Sequence, residues 1–201
     1  ILPELTEQRH LVDAKSLANG MLFNLPAATL PEQREEKKRT VRERCERVAE
    51  LCAHDQPSIM WCQFNEEADL LEDLVPGAVQ VSGSDKDAVK EERFIAFAEG
   101  QIKKLVTKAK IGGLGMNWQQ CAHMTYFPSH SYEQYYQAVR RCYRFGQVNP
   151  VRVDIVHTAG EARVIENQER KALQAQQMFG NLVAEMNNAI RLSAKRDFAK
   201  K

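Results

Sequence analysis

Apolar positions along the chain change their period near residue 57. Over 32–50 charge is dense, and Val41, Cys45, Val48 and Cys52 recur at helical spacing, which predicts an amphipathic helix with its charged face in solvent. Earlier still, Pro3, Pro26 and Pro31 punctuate short helical patches such as 7–19, the texture of a connecting arm. From Pro57 onward short apolar runs alternate with helical patterns. Strands are expected at 58–64, 79–82, 103–107, 123–127 and 151–157, and helices at 66–74, 87–98 and 132–143. Strands separated by helices pair in parallel through right-handed crossovers. The expected fold class is therefore α/β, a wound parallel sheet flanked by helices. Beyond Gly160 the stretch 163–191 is almost free of breakers, with Ile165, Ala172, Phe179 and Met186 seven residues apart, so one or two long helices should follow. Three regions result: 1–55, linker and amphipathic helix; 56–160, the α/β domain; and 161–201, a helical extension. The extension ends in a basic tail with Arg191, Lys195, Arg196, Lys200 and Lys201 against Asp197.

Composition changes this picture little. Of 201 residues, 28 are Lys or Arg and 27 Asp or Glu, a net charge of +1, so any nucleic-acid contact has to come from a local arrangement of cations. The longest apolar run, 94–98, is far short of the roughly 20 residues of a membrane span. Cys45, Cys52, Cys62, Cys121 and Cys142 are scattered and lack zinc-site spacing. They read as reduced thiols of a cytoplasmic protein. Ile1 in place of an initiator Met, and no charged-then-apolar leader after it, suggest a piece of a longer chain rather than a secreted one.

Chemistry concentrates in two places. After the strand at 103–107 runs Lys108-Ala109-Lys110-Ile111-Gly112-Gly113-Leu114-Gly115-Met116-Asn117, where three glycines allow close backbone approach to a ligand and two lysines add charge, a loop suited to phosphate or sugar. A tight turn would account for one or two of these glycines. A dinucleotide fingerprint would need its third glycine at Trp118, which argues against a Rossmann-type oxidoreductase. The second place is the helix capped by Ser131, with Gln134 three residues on. Helical arithmetic puts Tyr132, Tyr136, Val139 and Tyr143 on its buried face and Gln137, Arg141 and Arg144 on an adjacent stripe ending at Gly146. Two arginines one turn apart beside a glutamine make a cationic clamp for phosphate oxygens. The plainer alternative is that they cover the helix or pair with carboxylates. His10, His54, His123, His130 and His157 lack metal-ligand spacing. Trp61 is expected in the core, and Trp118 is equally placed for core or base stacking.

The run Gln137-Ala138-Val139-Arg140-Arg141-Cys142-Tyr143-Arg144-Phe145-Gly146-Gln147 resembles the sixth motif of superfamily-two helicases, in the QAxxRxxRxGQ form of Snf-type DNA translocases. The loop from Thr107 to Asn117 resembles their fifth motif, and 59–64 lies where the fourth motif's strand belongs. Resemblance covers about 56–170. It implies that 56–160 is a RecA-like helicase C-terminal lobe, the second lobe of a two-lobed ATPase. On this likeness Arg141 and Arg144 are arginine fingers and Gln137 senses the γ-phosphate. Gly113, Gly115 and Asn117 line the nucleotide cleft, while Thr107, Lys108, Ser82 and Gly83 face the nucleic-acid backbone. ATP and Mg2+ are then held mainly by an N-terminal lobe, and the track is DNA, with duplex favoured. Ahead of the sixth motif stands Phe127-Pro128-Ser129-His130-Ser131 instead of the Trp-Asn-Pro of chromatin remodellers, which points to a phage or bacterial relative. The chain holds no GxxxxGK[ST] loop and no Asp-Glu dipeptide, so it lacks the parts that cradle ATP and magnesium. The competing expectation is a lobe-like module that binds nucleic acid or protein without catalysis.

Overall fold

A computed structural model describes residues 2–14, 29–111 and 116–198, with side chains to residue 175 and at several positions as far as 186. Among these residues six strands form one sheet: β1 (Leu5–Val12), β2 (Ser58–Cys62), β3 (Ala78–Val81), β4 (Lys104–Lys108), β5 (His123–Tyr126) and β6 (Val151–Thr158). Their order is β1-β6-β5-β2-β4-β3, and every pairing is parallel. Among the described residues six α-helices accompany them: α1 (Leu30–Arg39), α2 (Val41–Leu51), α3 (Asn65–Leu74), α4 (Asp87–Ala98), α5 (Tyr132–Arg140) and α6 (Ala162–Phe198). The five expected strands and the α/β class are present.

Alternation along the strands divides the core in two. Ile59, Trp61, Leu105, Met124, Tyr126, Val153 and Ile155 point to the side covered by Phe94 and Phe97 of α4, Tyr135, Ala138 and Val139 of α5, and Ile165 of α6. Met60, Cys62, Val106, Phe127 and Val156 point to the other, covered by Cys45 and Val48 of α2 and Ala68 and Leu71 of α3. A strand buried on both faces reads as a continuous apolar run, which is why β2, with Ile59-Met60-Trp61-Cys62 in a row, is conspicuous in the sequence.

Three expectations for the first 55 residues are corrected. The helical patch expected from Glu7 is instead strand β1, registered from Leu5 on Val151 to Val12 on Thr158. An edge strand with one neighbour carries polar residues along most of its length, here Thr6 to Arg9, and shows no strand alternation. The single helix over 32–50 is two helices broken at Thr40, whose Oγ1 donates to the Glu36 carbonyl at 2.8 Å. Its charged face is only partly solvated: Arg34, Glu35, Lys38 and Arg42 are exposed, but Gln33, Glu36, Lys37 and Arg44 are buried. Arg44 Nη1 donates to Glu67 Oε1 at 2.7 Å, and its guanidinium lies 4.7 Å over the Phe127 ring. Lys37 donates to the Pro128 carbonyl and stands 3.6 Å from Glu161. These acceptors sit where β2, β5 and β6 end, so the arm plugs the carboxyl edge of the sheet. Among the described residues no helix is long and apolar enough to cross a membrane.

Candidate functional site

Helix α5 begins as expected, with Ser131 Oγ accepting from the Gln134 amide at 3.2 Å. Its buried face is rotated from the expected one. Tyr135, Ala138, Val139 and Cys142 are buried, whereas Tyr136 is 44% exposed and Tyr132 and Tyr143 are half-buried. Small Ala138 and Cys142 let the helix lie close to the sheet, and Tyr135 meets Tyr126 edge-on at 5.0 Å while its hydroxyl donates to Glu7. The Tyr143 hydroxyl donates to the Pro3 carbonyl at 3.0 Å, and the Tyr136 hydroxyl accepts from Arg140 Nε at 3.1 Å.

The helix stops at Arg140, so Arg141 and Arg144 stand on a run of tight turns rather than on the helix itself. Tyr143 N donates to the Val139 carbonyl at 2.9 Å and Gln147 N to the Arg144 carbonyl at 3.0 Å. Gly146 takes φ of +95° with Gln119 packed against it, a conformation that side chains other than glycine rarely adopt. The turn is braced from behind. Trp118 N donates to the Arg141 carbonyl at 3.0 Å, Gln119 Nε2 to the Phe145 carbonyl at 2.6 Å, and buried Gln147 Nε2 to the Cys121 carbonyl at 3.0 Å. Rigidity thus comes from the neighbouring loop.

One groove is lined by Tyr136, Gln137, Arg140, Arg141 and Arg144. Gln137 Nε2 donates to Glu133 at 3.0 Å. Arg144 Nη1 donates to Asn117 Oδ1, and Arg144 Nε is buried without a partner. Burial, and then the charge of Arg144, lower the basicity of the Arg141 guanidinium, which remains a cation at any physiological pH. Among the described residues neither arginine forms an ion pair. The groove is a concentration of positive charge held by neutral groups, the arrangement that favours an incoming anion.

Of the remaining expected residues, Asn117 joins this groove, and Gly113 and Gly115 lie outside the described residues. Thr107, Lys108, Ser82 and Gly83 form a separate group at the carboxyl ends of β3 and β4, whereas α5 starts at that edge and runs back toward where the strands begin. Thr107 is turned inward, Oγ1 donating to the Val81 carbonyl at 3.0 Å. Lys108 Nζ donates to Asn65 at 2.6 Å. Ser82 N donates to Asp85 at 2.8 Å, closing the turn that carries Gly83. Trp118 is fully buried beside Phe94 at 5.4 Å and Phe97 at 5.7 Å, which settles it as core and removes base stacking. Trp61 is core as expected. His10 and His123 both bond Asp154, at 2.7 and 2.8 Å, in a structural network that also holds Ser58 and His54. Two groove residues, Tyr136 and Arg140, escape the sequence reading. Helical spacing alone assigns Tyr136 to the buried face, and Arg140 falls outside the i, i+4, i+7 series of Gln137, Arg141 and Arg144.

The family profile of the helicase conserved C-terminal domain matches residues 41–146, more than half of the chain. The chain belongs to this family. The matched stretch runs from α2 to the glycine that closes the arginine turn. A solved structure described as the C-terminal part of the Fun30 ATPase domain superposes with a TM-score of 0.57 at 18% identity, over 63% of this chain and 45% of that one. The likeness shows the fold, a RecA-like parallel sheet flanked by helices. The chain thus spans less than half of that structure. No curated protein sequence matches it.

Proposed function

We propose that this lobe is the second half of an ATP-dependent DNA translocase or helicase of the Snf type, working with an N-terminal lobe on the same polypeptide. The observation that carries the reading is the groove itself, in which Gln137, Arg141 and Arg144 converge with no carboxylate to neutralise the two guanidinium groups. ATP is the substrate, and its outer phosphates fit a cluster of guanidinium donors. Among the described residues no three His, Cys, Asp or Glu side chains converge on a metal position, and the reading assigns Mg2+ and the phosphate cradle to the other lobe. Arg141 and Arg144 then stabilise the charge of the transferring phosphoryl group when the lobes close, and Gln137 lies beside it. Asn117, bonded to Arg144, links that turn to the loop after β4. Lys108, Ser82 and Gly83 supply contacts to the nucleic-acid backbone, with duplex DNA as the favoured track.

The test joins the lobe to its upstream partner and measures DNA-stimulated ATP hydrolysis. Arg141→Ala and Arg144→Ala should each lower turnover by about 10³-fold or more, the scale of an arginine finger, with DNA affinity changed far less. Normal turnover in both variants would remove the assignment.

A further inference from the structure

We propose that Arg140, presented beside the exposed ring of Tyr136, is a third cationic contact for the phosphates, so that the nucleotide meets three guanidinium groups of this chain rather than two. The inference rests on the function proposed above and extends it to a residue that falls at a variable position of the QAxxRxxRxGQ pattern. Arg140 lines the same groove as Arg141, Arg144 and Gln137. Its guanidinium carbon lies 5.2 Å from the centre of the Tyr136 ring and 5.7 Å from that of Tyr143. Nε donates to the Tyr136 hydroxyl at 3.1 Å, and Nη1 makes a long contact of 3.5 Å with the Tyr143 carbonyl.

Every one of these partners is neutral. Rings and a hydroxyl fix where the guanidinium sits without cancelling its charge. On a helix the acids able to neutralise an arginine sit three or four residues away. Here positions 136, 137, 143 and 144 hold Tyr, Gln, Tyr and Arg, and among the described residues Arg140 forms no ion pair. Glu133, the acid of the same helix, accepts from Gln137 instead. Three like charges in one groove repel one another until an anion enters, and a polyphosphate carries enough oxygens to engage all three in paired hydrogen bonds.

The test titrates inorganic tripolyphosphate into the 201-residue chain by calorimetry at several salt concentrations. Arg140→Gln should weaken binding roughly tenfold, as loss of a charged hydrogen bond does, and flatten its salt dependence. Arg140→Lys should keep most of the salt dependence while losing part of the affinity. Arg42, an exposed arginine paired with Glu46 away from the groove, is the control: an equal loss in Arg42→Gln would mean diffuse charge and overturn the proposal. Unchanged binding in Arg140→Gln with a loss in the Arg141→Gln, Arg144→Gln double variant would overturn only the role of Arg140. Unchanged binding in both would overturn the proposed function as well. A parallel titration with duplex DNA separates the two sources of phosphate, because a loss confined to DNA would move Arg140 to the nucleic-acid track.

Discussion

Arg44 and Arg141 are chemically identical and meet opposite fates. Arg44 is fully buried between α1 and α3, and although burial opposes its charge, Glu67 and Glu161 outweigh that cost and raise its basicity. Removing one partner of such a pair leaves an uncompensated buried charge, so Glu67→Ala should lower the unfolding free energy by about 3–5 kcal/mol in a urea titration. A loss below 1 kcal/mol would show that water reaches Arg44. Asp154 makes a pH-dependent contribution. Burial alone would raise its pKa, but hydrogen bonds from His123, His10 and Arg152 overrule it and bring the carboxyl from 3.8 down to about 2. A carboxyl less readily protonated in the folded than in the unfolded chain adds stability that is complete above about pH 5 and is lost progressively as pH falls through about 2. Asp154→Asn should therefore flatten the acid limb of a stability–pH curve in that window. All five cysteines are free and buried, and burial pushes Cys45 and Cys52 up to about 12. A disulfide-exchange reagent should label none of the five until the chain unfolds. The sequence shows which residues are arginines and cysteines, and the partners come from segments far apart in the chain.

At the scale of elements, the periodic ones were legible and the irregular ones were not. Strand β2 carries its burial in consecutive apolar residues, β3 to β6 carry theirs in short or alternating ones set between helical stretches, and Ser131 marks the start of α5 by its own side chain. Strand β1 is invisible because its order comes from the backbone of β6, with Val151 N donating to the Glu4 carbonyl at 2.8 Å. The break at Thr40 and the burial of α1 depend likewise on the ends of strands that α1 covers. Gly160, in the tight turn after β6, reports on that contact: a Cβ there would stand 2.6 Å from the Glu36 side chain, which is itself held by Arg39 and by Thr158 Oγ1 at 3.0 Å. Gly160→Ala should cost about 1–3 kcal/mol, as overpacking does, and a thermal melt should show the loss. The rotation of α5 by about one residue has the same origin. Helical spacing defines a stripe, but the sheet selects which stripe it touches.

On the proposed function, the arginine groove is half of a site at the scale of the whole molecule. The isolated chain should show no ATP hydrolysis above background in a phosphate-release assay, with or without DNA, and activity at the level of a complete enzyme would overturn the two-lobe reading. Helix α6 extends well beyond the domain, with Leu173, Phe179, Leu182 and Met186 exposed. The seven-residue spacing foretold its length but not what it packs against. Local pattern by itself determined the α/β class, five of the six strands, the capped helix and the order of the motif arginines, because each of these follows from residues near in sequence. Tertiary structure alone decided that Trp118 is core, that Lys37 and Arg44 are spent on the carboxyl edge of the sheet, and that Arg140, Arg141 and Arg144 keep their charge at the surface. The reason is electrostatic: a cation's availability depends on whether the fold brings it a carboxylate, and that partner can come from anywhere in the chain.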